Sequence, residues 1–427
     1  MAEPALTAEE TELRETARRV LPAGSFGNVP FETVIRSGQG SHVWDVSGNE
    51  YIDYLLGSGP MLAGHCHPEV VEAVMEQVGR GSTFFANNEH GIRLADAVTE
   101  RVACAEKVRF VSSGSEATFY AMRIARAFRG RDKILKFEGG FHGMNDYALM
   151  SMAPKRPGNF PQAAPDSAGI PATVRDEVLI APFNDAETAV QLIRDHADEL
   201  AAVVAEPFQR LIPPKPGFLE ALREVTEETG VVLIFDEVVT GFRFARGGAQ
   251  ERYGVTPDMC SLGKVVGGGY PLAAIAGRDD IMAHFDAGRV DGDRFAQQIG
   301  TLSGNPVAAV AGLKTLEVLG RPGVYERHEQ IGQALIDGLT TLLEESGHEG
   351  QVLGSPPMFD VIFAGGEVAD YRATMRGDAA RTKAFNAGLR TRGIFKGESK
   401  FYLSVVHSDE DIANTLDAAR ESLKELS

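Results

Sequence analysis

Cysteine is scarce in this chain. Its 427 residues hold three, Cys66, Cys104 and Cys260, an odd and widely spaced set. That usage excludes a disulfide framework and suggests a reducing compartment. Long apolar runs are missing as well: no stretch of about 18 such residues occurs, so no membrane-spanning helix is expected. The first residues, MAEPALTAEETELRETARRVLP, lack the apolar core of a signal peptide. The expected location is therefore cytoplasmic, with no membrane partner. Positive charge is in short supply, with 42 Lys and Arg against 60 Asp and Glu and a net charge of -18. Nucleic acids and anionic membranes both need basic patches, so neither fits as a partner. The rest of the composition, 43% hydrophobic and 24% charged, is that of a globular chain long enough for more than one domain.

Residues 7–20 read as an amphipathic helix, and HVWDVSGNEYIDYL (42–55) as a hairpin around Ser47-Gly48-Asn49. From about residue 68, short apolar runs alternate with helix-length periodic segments. The runs are 107–113, 133–140, 177–183, 201–207, 231–238 and 271–277. Continuous apolar strands separated by helices imply a mostly parallel sheet covered on both faces, with ligands at the carboxyl ends of its strands. Past about 310 the chain turns to long charged helices and a few strands. Residues 151–176, with Pro154, Pro157, Pro161, Pro165 and Pro171, read as a long loop, either a lid or interface segment or a surface insertion.

One lysine needs an occupation. In SLGKVVGGGYPLAAIAG (261–277), Lys264 precedes three glycines, yet Asp258 and Val265 stand where a P-loop requires Gly and Ser or Thr. The glycines are expected to let the backbone pass a ligand closely. Asp236 ends the apolar run VVLIFDEV, where a carboxylate is costly unless a cation or donor meets it; an arginine ion pair is one solution. Ser113-Gly114-Ser115 starts a helix after the strand VRFVSS. Free amides, hydroxyls and the positive end of the helix make a phosphate site there, although a plain serine N-cap explains the same residues. Lysine, strand-end aspartate and phosphate turn together describe pyridoxal 5'-phosphate (PLP). The lysine would form the Schiff base, and the aspartate would keep the ring nitrogen protonated.

At this point the sequence resembles a family. LIFDEVVTGFRFARGGAQERYGVTPDMCSLGKVVGGGYPLAAIAGR is similar to the core of class III (subgroup II) PLP-dependent aminotransferases, nearest the glutamate-1-semialdehyde 2,1-aminomutase branch. FVSSGSEATFYAMRIARAF, FEGGFHG, AEPFQ and GTLSGNPVAA support it in the right order. The resemblance implies an α/β chain of PLP-dependent transferase fold type I. It has a large domain (66–310) with a mostly parallel seven-stranded sheet, and a smaller α+β domain from an N-terminal segment (1–65) and a C-terminal one (311–427). It implies a homodimer with shared active sites. Lys264 becomes the Schiff-base lysine and Asp236 the ring-nitrogen partner. Val238 packs on the ring, Ser113, Gly114 and Ser115 hold the phosphate, and Phe141 stacks on the ring beside His142. Glu206 lies near the cofactor, and Thr301 reaches the other subunit's phosphate.

Departures from the family's pattern bear on the substrate. Ser58 stands where the mutases carry Trp, SFGNVP (25–30) replaces their Asn-Ser-Pro-Val-Arg, and Ser399, next to Glu398, falls at the place of a mutase glutamate. These favour transamination between a small-molecule amino donor and an oxo-acid acceptor, with the intramolecular aminomutase as the alternative. Another PLP reaction on this fold, a nucleotide-binding α/β protein and an inactive binding module rank behind both. Arg210 replaces a small family residue after the glutamate motif and is a candidate grip for a substrate carboxylate. Arg36 is a second candidate; for both, a surface ion pair is the plainer explanation. His65-Cys66-His67 has metal-ligand chemistry but no second cluster, so a turn is expected there and no metal.

Overall fold

The computed structural model describes residues 6–426. It divides into two compact units. One comprises the described residues up to Pro68, Pro322–Gly366 and Arg376 onward; the other comprises Glu69–Arg321 and Glu367–Met375. The boundary expected near 311 lies later because the helix Pro306–Leu319 is buried along most of its length within the second unit. The segment Glu367–Met375 was expected in the C-terminal domain. It joins the second unit instead, where Arg372 pairs with Glu138 at 2.7 Å.

The second unit is built on a seven-stranded sheet. Its order is Lys107–Val111, Ala273–Gly277, Met259–Leu262, Val232–Glu237, Leu200–Ala205, Lys133–Phe137 and Val178–Ala181. Only Ala273–Gly277 runs antiparallel to its neighbours. The strand Met259–Leu262 was missed among the apolar runs because Asp258 and a short MCSL stretch give little pattern to read. Both Leu200–Ala205 and Val232–Glu237 are buried at every residue, as a sheet covered on both faces requires. Across them lies the helix Gly114–Arg129, whose Ala117, Ala121 and Ala125 recur one turn apart and share a core cluster with Ala202, Val204 and Ile234. Small side chains on that face let the helix approach closely.

One of the three glycines after Lys264, Gly268, serves packing. A Cβ on Gly268, whose φ is +57°, would stand 2.5 Å from the Ala311 carbonyl oxygen. One on Gly312 would stand 2.0 Å from the Val266 carbonyl oxygen. The lysine turn and the helix Pro306–Leu319 therefore meet backbone to backbone. Residues 151–176 fold as a packed insertion with one short helix, Ala172–Arg175. Phe160, Ile170 and Val174 pack on Met150, Ala163, Val178 and Ile180, which covers the edge strand Val178–Ala181.

The first unit holds a four-stranded sheet, Ile35–Gln39, His42–Asp45, Glu50–Asp53 and Ile394–Phe395, and a three-stranded one, Gln351–Ser355, Met358–Ile362 and Phe401–Tyr402. The hairpin read at 42–55 is the antiparallel pair His42–Asp45 and Glu50–Asp53. The helices Val324–Ser346, Ala379–Thr391 and Asp409–Lys424 supply Leu335, Leu339, Phe385, Leu389 and Ile412 to a core with Phe359 and Phe401.

Candidate active site

Alternation along Val232–Glu237 sends its two terminal carboxylates to opposite faces. Glu237 is fully buried and structural. It accepts from Thr240 Oγ1 at 3.0 Å, Ala249 N at 2.6 Å and Gln250 Nε2 at 2.9 Å, and burial raises its pKa. Asp236 faces the other way. Its Oδ1 accepts from Ser261 Oγ at 2.9 Å and Val238 N at 3.1 Å, and its Oδ2 lies 2.9 Å from His142 Nδ1. Imidazole and serine meet the carboxylate. The serine donates to the carboxylate and not to the imidazole, so the three residues do not form a nucleophile relay. The buried His142 Nε2 has no partner among the described residues.

Ser261 is the strand partner of Asp236, and Leu262 of Glu237, so Lys264 begins its turn directly beyond the carboxylate. A Cβ on Gly263 would come within 3.1 Å of Val238 Cγ1, and one on Gly114 within 2.8 Å. Val238 thus sits between the lysine turn and the helix start. At that start Ser113 is the N-cap: its Oγ accepts from Glu116 N at 3.2 Å, while Glu116 Oε2 takes the amides of Ser112 and Ser113. The N-cap explanation therefore holds for its hydroxyl. The amides of Gly114 and Ser115, first in the helix, have no intrahelical acceptor. Ser115 Oγ accepts from Met144 N at 3.1 Å, and Thr118 Oγ1 donates to the His142 carbonyl at 2.6 Å. These bonds tie the helix start to the loop that carries Phe141 and His142.

Two further groups hold that loop. Glu206 Oε2 accepts from Phe141 N at 2.9 Å. Lys136, fully buried in its strand, donates to the carbonyls of Gly140 (3.0 Å), Ala148 (2.9 Å) and Met150 (2.7 Å). Burial pulls its pKa down to about 7, against the opposing fields of Glu206, Asp166 and Asp236. Sequence reasoning passed over Lys136, Ser261 and Thr118. A lysine inside the apolar KILKF was a usable signal; the other two needed the strand register and the helix position.

Arg210 lies over the Phe141 ring, its Cζ 5.3 Å from the centroid. Thr301 and Arg36 are not drawn into this cluster. Thr301 is exposed in the turn after Gly300, and Arg36 is half-exposed and ion-paired with Glu9, the plainer explanation offered for it. His65 pairs with Asp53 at 2.7 Å, at a turn where exposed Cys66 has a φ of +50°.

The model of the family described as aminotransferase class-III matches residues 24–423. The chain belongs to this family. This class-III aminotransferase is 44% identical to the glutamate-1-semialdehyde 2,1-aminomutase of Methanothermobacter thermautotrophicus, over 97% of this chain and 99% of that one. It superposes on an omega-transaminase from Sphaerobacter thermophilus with a TM-score of 0.92 and 37% identity, over 98% and 97% of the two chains. A transaminase solved with PLP bound gives a TM-score of 0.90 and 33% identity over 99% of each. The fold is that of the fold type I PLP-dependent transferases, and the enzyme is PLP-dependent. Its own geometry fits the cofactor: a buried carboxylate, a buried imidazole nitrogen without a partner among the described residues, two helix-start amides, and a glycine, Gly114, where a Cβ would collide with Val238. Among the described residues no helix is long and apolar enough to cross a membrane.

Proposed function

We propose that this class-III enzyme moves an amino group from an amino acid or amine donor to an oxo-acid acceptor in two half-reactions. The observation that carries the reading is the placement of Lys264 one turn beyond a carboxylate that is held from three sides. Bound PLP supplies the electron sink that makes the proton on the amino-bearing carbon removable. Lys264 Nζ anchors the cofactor and then carries that proton. Asp236, whose Oδ1 is steadied by Ser261 and the Val238 amide and whose Oδ2 meets His142, would hold the proton on the ring nitrogen. Val238 and Phe141 would hold the ring, and the Gly114 and Ser115 amides would take the phosphate. Glu206 and Lys136 act through the backbone of the Phe141 loop. In a homodimer, Thr301 closes the partner's phosphate site; its exposure supports that assignment.

Transamination is favoured over the intramolecular reaction because exposed Ser58 stands where the mutase branch carries Trp. The 44% identity to an aminomutase favours the second reading, amino transfer within one molecule. A donor screen decides between them, with amine and oxo product quantified with and without added oxo-acid. Transamination requires the acceptor for sustained turnover. Full turnover of a single substrate without an acceptor would establish the mutase.

A further inference from the structure

The segment after Leu200–Ala205 returns to the Phe141 loop at three points. Glu206 takes the Phe141 amide, Gln209 Nε2 donates to the Glu138 carbonyl at 2.8 Å, and the Arg210 guanidinium covers the Phe141 ring. Arg210 occupies the tip of a tight turn closed on both sides. Gln209 N donates to the Ile212 carbonyl at 3.0 Å, and Ile212 N donates to the Gln209 carbonyl at 2.8 Å. Its φ is +61°, a conformation in which glycine is unstrained and other residues are uncommon. The turn therefore keeps a long cation where its backbone favours glycine. Among the described residues no carboxylate pairs with Arg210, although Glu206 lies four residues before it and Gln209 bonds the Glu138 carbonyl. Glu138 is taken by Arg372 at 2.7 and 3.1 Å, and Glu206 by the Phe141 amide. An arginine resting on an aromatic face keeps the N–H groups of its edge available for a planar two-point partner.

We propose that Arg210 is a specificity-determining residue that binds the substrate's carboxylate, so that the substrates are amino acids and oxo-acids in preference to simple amines. This deepens the reading above and rests on it only in placing the reacting carbon beside Lys264. Arg36 does not compete for the role, since Glu9 already neutralises it. The test uses the PLP-loaded enzyme and two unreactive probes of one shape, propanoate and propanamide, titrated calorimetrically against wild type, Arg210→Gly and Arg210→Lys. A charge-assisted contact predicts a loss of about tenfold to a hundredfold in propanoate affinity for Arg210→Gly, with propanamide unchanged. Arg210→Lys recovers part of the loss, since it keeps the charge without the planar fork. Arg210→Gly suits the φ of this position and retains the fold, which a thermal melt verifies. Equal propanoate affinity in wild type and Arg210→Gly, or equal losses on both probes, overturns the proposal. Neither probe can transfer an amino group, so that result would leave the donor screen standing. A failed donor screen likewise leaves the titration readable.

Discussion

At the scale of single residues, the site depends on one carboxylate and its donors. Asp236→Asn keeps an oxygen for Ser261 and the Val238 amide, so the protein should fold and melt near wild type. Without a carboxylate at the ring nitrogen the electron sink fails, and kcat should fall by roughly 10²–10⁴. Near-normal turnover in a folded Asn variant would make Asp236 merely structural. Borohydride reduction followed by peptide mass spectrometry should find the cofactor on Lys264, and a label on any other lysine would remove that assignment. In the other unit, His407 gives a pH signature. Its ring stacks on Tyr54 at 4.5 Å and accepts from Ser404 N at 3.1 Å. Burial pulls its pKa to about 4, with His42 acting in the same direction and Asp411 and Asp53 opposing. Between pH 6.5 and 4 the unfolded chain binds a proton that the folded chain does not. Stability is therefore lost as pH falls through that window, by up to about 3 kcal/mol. Melting temperatures at pH 7, 5.5 and 4.5 should drop less in His407→Gln than in wild type; parallel curves would refute the assignment.

At the scale of elements, the helix Gly114–Arg129 separates two jobs that its first residues share in sequence. The Ser113 hydroxyl closes a capping box with Glu116, while the Gly114 and Ser115 amides remain for an anion. Ser113→Ala should cost about 1 kcal/mol of stability and leave PLP affinity within about twofold. A tenfold loss of affinity with unchanged stability would mean that the hydroxyl serves the phosphate. Capping and phosphate binding look alike in the letters SSGSE, and only the Glu116 bonds tell them apart. The alternation of apolar runs with helices was legible because every residue of the central strands is buried. So was the lone charge that ends VVLIFDEV. The Asp236 partners were not, because His142 lies 94 residues away in the chain and Ser261 sits on a strand too short to show a period. The packing role of Gly268 was hidden for a similar reason: the carbonyl it faces, that of Ala311, belongs to a helix some 40 residues further on.

At the scale of the whole molecule, the active-site cluster contains no Thr301, and exposed apolar side chains gather near that residue. Phe85, Ile92 and Ile299, exposed by 70%, 60% and 67%, line a cleft of about 400 Å³. Exposed apolar groups gathered in this way mark an interaction surface, and a second copy of the chain is the partner that the proposed shared site needs. PLP affinity should then rise with protein concentration across the dimerisation range, and Ile299→Glu should weaken association and cofactor binding together. A monomer that retains PLP tightly would contradict the shared site. Within one chain, the strands on either side of Lys264, Met259–Leu262 and Ala273–Gly277, are hydrogen-bonded neighbours, so the lysine rides on a local hairpin. Such hairpins close on the order of microseconds, whereas contacts across long stretches of chain must wait for the sheet to assemble. A refolding chain is therefore predicted to pair the hairpin that carries Lys264 before it joins His142 to Asp236, and pulse-labelling hydrogen exchange that protects the sheet around Asp236 first would refute that order.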